Sequence, residues 1–97
     1  MNNIKVSVII YVLNDVTHIE RCVRSVMSQS LRELEIIIID GKSTDGTAEM
    51  LKKLQEEDDR IRIIDSDAGV GLQFNTGLRA ATGEYIGICE SDDYLLP

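Results

Sequence analysis

Glu35-Ile36-Ile37-Ile38-Ile39 runs straight into Asp40-Gly41-Lys42-Ser43-Thr44-Asp45-Gly46, so four isoleucines give way at once to a stretch of turn formers. An uninterrupted β-branched run closed by such signals predicts a strand buried on both faces, as in a parallel sheet. The chain reverses at the turn formers. The inward-spaced Met50, Leu51 and Leu54 then predict a helix over about residues 45–57.

The same alternation extends in both directions. Upstream, Val6-Ser7-Val8-Ile9-Ile10-Tyr11-Val12 predicts the first central strand. Ile19, Cys22, Val23, Val26 and Met27 then mark one face of a helix over about 16–30, with Asp15 or Thr17 as its cap and Glu20 in its first turn. Downstream, Ile61-Arg62-Ile63-Ile64 predicts a third strand. A third helix over about 72–81 is expected to turn Leu78 and Ala81 inward and to stop at Gly83 in the manner of a glycine C-cap. Tyr85-Ile86-Gly87-Ile88-Cys89 predicts a fourth strand that delivers Glu90-Ser91-Asp92-Asp93 at its carboxyl end. Strands alternating with helices imply right-handed crossovers and an α/β fold, a parallel sheet with helices on both faces. Ligands of such sheets bind outside the carboxyl ends of the strands. The polar clusters Leu13-Asn14-Asp15, 40–45, 67–71 and 90–93 all follow strands, so they converge on one rim.

Composition narrows the function. The 97 residues, at 10.8 kDa, make one small domain or one half of a larger nucleotide-binding enzyme. Hydrophobic residues at 43% and charged ones at 28% place the chain among globular proteins. Ten Lys plus Arg against seventeen Asp plus Glu give a net charge of −7, which opposes binding to nucleic acid. No apolar run approaches the roughly 18 residues of a membrane span, and the polar opening Met1-Asn2-Asn3-Ile4-Lys5 carries no secretion signal. Cys22 and Cys89 stand far apart within apolar patterns, which predicts reduced, buried thiols of a cytoplasmic protein.

Several residues carry two readings. Asp40 closes a strand of isoleucines, where a charge needs a partner. A nucleobase or ribose would serve, and so would an Asx-type turn with Ser43. Gly41 and Gly46 suit either reading. Glu90, Asp92 and Asp93 gather three carboxylates within four residues, a density suited to a hard cation such as Mg2+ or Mn2+. The same residues also suit an acidic helix start before Leu95. Glu56-Glu57-Asp58-Asp59 predicts a solvated loop, and His18 a surface position on a helix flank away from the strand ends. Gly69-Val70-Gly71 is a weak dinucleotide fingerprint, because Phe74 holds the third glycine position. No zinc spacing and no serine-hydrolase elbow occurs.

Taken in order, Val6-Ser7-Val8-Ile9-Ile10 leading to Asn14, then Ser25, Gln29-Ser30, Glu35 through Gly41, Ser43-Thr44-Asp45-Gly46-Thr47, Asn75-Thr76-Gly77, Ala81-Thr82-Gly83-Glu84-Tyr85-Ile86 and Ser91-Asp92-Asp93 resemble the amino-terminal half of inverting family 2 glycosyltransferases. The resemblance covers essentially the whole chain. It implies a Rossmann-like three-layer sandwich of GT-A type with a mainly parallel sheet, present here as its amino-terminal portion. It implies a nucleotide diphosphate sugar as donor, a uridine diphosphate sugar as first choice, held through Mg2+ or Mn2+. Carried over residue by residue, it makes Tyr11, Leu13, Asn14, Asp40 and Asp92 nucleotide contacts and Asp93 the foremost metal ligand, with Asp92 and Glu90 as further ligands. This chain departs from the family pattern at Tyr11, commonly proline, at Leu13, commonly aromatic, at Phe74, commonly arginine, and at Glu90, usually Asp.

In that family the catalytic base and the acceptor pocket come from the carboxyl-terminal half, so no residue here is assigned as base. The chain is accordingly expected to be a truncated donor-binding domain, residues 1–97, of a transferase for polysaccharide, lipid-linked or cell-surface glycan synthesis. Its expected location is the cytoplasm, at the inner face of the membrane in a longer protein. An open sheet edge offers a route to self-association. The alternative is a non-catalytic interaction or regulatory domain that retains the fold.

Overall fold

The structure, a computed structural model, describes residues 4–93. Its order is β1 (Val6–Val12), α1 (Val16–Met27), β2 (Leu34–Asp40), α2 (Thr47–Glu57), β3 (Ile61–Asp65), α3 (Val70–Ala80) and β4 (Tyr85–Glu90). The four strands form one sheet in the order β3-β2-β1-β4, and every pair is parallel. The expected α/β class and alternation are found. Strand β2 is buried along its whole length, as its isoleucines require. Each fully buried isoleucine contributes about 1.5–3 kcal/mol.

Alternate residues of the strands serve different faces. Val8, Ile10, Val12, Ile36, Ile38 and Cys89 meet Ile19, Cys22, Val23 and Val26 of α1 and Leu51 and Leu54 of α2. Ile9, Ile37 and Ile39 form the smaller core on the opposite side, under α3. There the helix reaches the sheet closely: a Cβ on Gly77 would lie 2.5 Å from Cγ2 of Ile9. This corrects the expected inward face of α3. Gln73 and Gly77 are its buried residues and Leu78 is 40% exposed, because a leucine cannot fit where only glycine clears Ile9. Ala81 does pack against this core.

Other local expectations also change. Asp15 sits at the N-cap of α1 without making a side-chain cap bond, and Glu20 lies beyond the first turn, where it pairs with Arg24. Gly83 is not a C-cap. Ala81 ends α3 in extended geometry, and Gly83 instead abuts Ser7, donating its N–H to Ser7 Oγ at 2.8 Å. The acidic stretch 56–59 is not wholly solvated, since Glu57 pairs with Arg24 and Asp58 with a largely buried Arg60. Cys22 and Cys89, 67 residues apart, place their sulfurs 3.4 Å from each other as free, buried thiols. Hydrogen bonding to Cys89 and burial push the Cys22 thiol above its usual range. Among the described residues no helix is long and apolar enough to cross a membrane.

Candidate functional site

Strands β1, β2 and β3 proceed to one side, and the chain then crosses back to set β4 on the other side of β1. The crossovers around β1 and β4 lie on opposite faces at this reversal, which opens a crevice at the carboxyl ends. A cleft of about 400 Å3 occupies it, lined by Tyr11, Leu13, Asn14, Asp15, Gly69, Val70, Gln73, Glu90, Ser91 and Asp92. That volume lies within the range of small-ligand sites.

Hydrogen bonds between loops shape the cleft. Asn14, in the left-handed region at φ 52°, donates its N–H to Ser43 Oγ at 2.8 Å and accepts from the Thr44 N–H at 2.7 Å. Asparagine tolerates that conformation better than most residues. Asp45 accepts from the N–H groups of Val16 and Thr47, so one carboxylate serves the first residues of two helices. Asp40 is buried, and its Oδ1 accepts from both the N–H and the hydroxyl of Ser43. It closes an Asx-type turn, outside the lining of the cleft.

Gln73 is a functional candidate that sequence reasoning missed. Buried within α3, its Nε2 donates to the carbonyls of Val12 and Ile39, each at 3.0 Å, and so ties the ends of β1 and β2 together. Gly41 makes the room, since a Cβ there would stand 3.2 Å from that nitrogen. The available signal was Gln73 lying four residues before Gly77 on one helical face.

The side of the cleft formed by the end of β4 is acidic. Carboxylate oxygens of Glu90, Asp92 and Asp93 all lie within 4.8 Å of one another, and all three residues are exposed. The turn carrying them is closed by Asp93 N–H to the Glu90 carbonyl, 2.9 Å. It is also held from two strand-end neighbours. Tyr11 donates its hydroxyl to Glu90 Oε1 at 2.9 Å. Ser91 Oγ donates to Asp15 Oδ2 at 2.8 Å, while Asp15 Oδ1 lies 2.8 Å from His18 Nδ1. His18 therefore adjoins the cleft through Asp15, contrary to the expectation that it lies away from the strand ends. Burial pushes the Asp15 carboxyl up, but the hydrogen bonds from Ser91 and His18 outweigh it and hold the group below its ordinary value.

Three clustered carboxylates repel one another unless a cation intervenes. At metal–oxygen distances near 2.1 Å, ligand oxygens on octahedral Mg2+ or Mn2+ stand about 3.0 Å apart as neighbours and about 4.2 Å apart as opposites. The cluster brings its three oxygens within 4.8 Å of one another on exposed side chains, and its all-carboxylate donor set suits these hard ions.

Residues 7–97 match the profile of the family described as glycosyl transferase family 2. The chain belongs to this family. It is 39% identical over 93 residues to chondroitin synthase of Pasteurella multocida, covering 95% of this chain and 10% of that protein. Among solved structures it resembles S. aureus TarS 1-349 in complex with UDP, with TM-score 0.84 and 27% identity over 94% of this chain and 28% of that one. It equally resembles the mannosyltransferase PcManGT from Pyrobaculum calidifontis in complex with GDP-Man and Mn2+, with TM-score 0.84 and 28% identity over 93% of this chain and 28% of that one. The chain spans about 10% to 30% of the length of the curated relatives it matches.

Within this family 2 glycosyl transferase chain, Tyr11, Leu13, Asn14, Glu90 and Asp92 line one cleft, with Asp93 beside them in the acidic cluster. Asp40 does not join them. It borders a separate hollow with Lys52, Gln55 and Asp65 between the sheet and α2. The alternative of an acidic helix running to Leu95 extends beyond the described residues, since it falls on 94–97.

Proposed function

We propose that the cleft between β1 and β4 binds the nucleotide diphosphate of a sugar donor, and that the chain is the donor-binding domain of a longer transferase acting on an acceptor hydroxyl in glycan synthesis. The observation that carries this reading is the meeting of Tyr11, Leu13, Asn14 and Gln73 with the Glu90-Asp92-Asp93 cluster around one cleft at the strand reversal. The Mn2+ and GDP-Man of the Pyrobaculum mannosyltransferase and the UDP of TarS support it by likeness.

In this reading Asp93, Asp92 and Glu90 hold Mg2+ or Mn2+, which supplies Lewis-acid stabilisation to the departing diphosphate when bound. Leu13 and Asn14, fixed by Ser43 and Thr44, form the wall on which the base lies. Asp40 acts mainly by fixing Ser43, and through it Asn14. Gly69 at the N-cap of α3 and Val70, its first residue, bring the positive end of that helix to the cleft, a favourable neighbour for phosphate oxygens. The base that deprotonates the acceptor hydroxyl is assigned to a part of the protein beyond these residues. A location at the cytoplasmic face of a membrane, where nucleotide sugars and reduced thiols coexist, belongs to the same proposal.

Isothermal titration of the chain with uridine diphosphate in the presence of Mn2+ tests the reading. Saturable, metal-dependent heat is expected, and Asp93→Ala should remove the metal dependence while leaving the circular dichroism spectrum unchanged. Silence with uridine, guanosine, adenosine and cytidine diphosphates, each with Mn2+, would rule out donor binding by this chain.

A further inference from the structure

Tyr11 is the one aromatic residue of β1, and its Cα is paired in register with that of Glu90 at the end of β4. Register partners in adjacent parallel strands send their side chains to the same face of the sheet. The Tyr11 ring packs against the core of Ile9, Ile37 and Ile39, which fixes it from the side facing α3. Its hydroxyl then reaches the Glu90 carboxylate and donates to Oε1 at 2.9 Å. Glu90 is exposed on a long side chain, so without an anchor its carboxylate would spread over several rotamers.

We propose that Tyr11 is a positioning residue for the divalent cation: by holding Oε1 it turns the Glu90 carboxylate toward Asp92 and Asp93 and leaves Oε2 as a ligand. A phenol suits this task for two reasons. It donates one hydrogen bond and brings no charge, so the negative potential that attracts the cation is preserved; an ammonium or guanidinium in its place would cancel it. The inference rests on the cation reading proposed above and goes beyond it, since it assigns a role to a residue that would touch neither metal nor sugar.

The test uses Mn2+ itself as probe. Tyr11→Phe removes the hydroxyl and keeps the ring in its packing, so the melting temperature should stay near that of the parent. Its Mn2+ affinity, measured by titration with detection of free Mn2+ by electron paramagnetic resonance, should fall about 10- to 100-fold, the usual cost of losing a partner that orients a ligand. A Glu90→Ala chain, which retains Asp92 and Asp93, should bind Mn2+ more weakly, and adding Tyr11→Phe to it should change nothing further. Equal Mn2+ affinity in parent and Tyr11→Phe overturns the positioning role and leaves the cation site standing. Independent, additive losses in the doubly substituted chain likewise overturn it. A parent chain that binds no Mn2+, alone or with uridine diphosphate, overturns both readings.

Discussion

Glu35 and Glu90 stand at opposite ends of one sheet and meet opposite fates. Glu35, near the amino end of β2, is buried, and its carboxylate accepts from Ser7 Oγ at 2.6 Å, from the N–H and hydroxyl of Thr82 at 2.7 and 2.9 Å, and from Arg62 Nη1 at 3.1 Å. Every one of those donors belongs to the protein. Glu90, at the carboxyl end of β4, is exposed, shares its rim with two more carboxylates and accepts from the Tyr11 phenol. One carboxylate closes a structure and the other keeps capacity for a ligand. A parallel sheet imposes this division: its strand-to-helix loops all leave from the carboxyl end, and there the reversal between β1 and β4 opens a cleft. At the amino end a hollow of comparable volume, about 410 Å3, borders Glu35 as well, but there the carboxylate is already met by the protein's own donors on both oxygens.

The contrast can be broken most forcibly at Glu35. Glu35→Ala should destabilise the chain by about 3 kcal/mol, because the buried Ser7 hydroxyl loses its acceptor, Arg62 loses its carboxylate partner and the Thr82 N–H keeps only Ser7 Oγ at 3.2 Å. Glu90→Ala should change stability by less than about 0.5 kcal/mol, as for other exposed sites. Urea denaturation of the two variants measures the difference, and comparable losses would erase the proposed division. A smaller effect is expected from Gly83→Ala at the same amino end. Its Cβ would lie 2.8 Å from the Ser7 backbone nitrogen, an atom that cannot swing aside, so a loss of about 2 kcal/mol should appear in the same assay.

The smallest effect is a pH dependence. Burial pushes the Glu35 carboxyl up, but the bonds from Ser7, Thr82 and Arg62 outweigh it, and its folded-state value lies below the ordinary one. The network therefore stabilises the fold above the unfolded value of about 4.3, and that contribution is lost as pH falls through the lower folded value. Unfolding free energy measured between pH 6 and pH 3 should fall less steeply for Glu35→Gln than for the parent. An identical slope would assign the acid sensitivity to other carboxylates, such as Asp15, whose value is also depressed.

Much of this was legible from the residues in order. The isoleucine run of β2, the helical spacing of α1 and the recurrence of turn formers fixed the elements and the rim to which the polar clusters come. Periodicity is a local property, so a linear reading recovers it. Gln73 was missed because its partners, the carbonyls of Val12 and Ile39, lie 61 and 34 residues away. Leu78 was assigned inward because hydrophobicity says nothing of how closely a helix approaches a sheet, which Ile9 and Gly77 determine together.

By itself, then, the sequence determined the α/β alternation, the family pattern and the presence of three carboxylates after a strand. The tertiary structure alone decided that Tyr11 and Glu90, 79 residues apart, would be register partners, and that Cys22 would touch Cys89. It also decided that Asp40 would turn to Ser43 rather than into the cleft. The physical reason is that strand order and register are set by how whole faces pack across the sheet. No short stretch of chain contains that information.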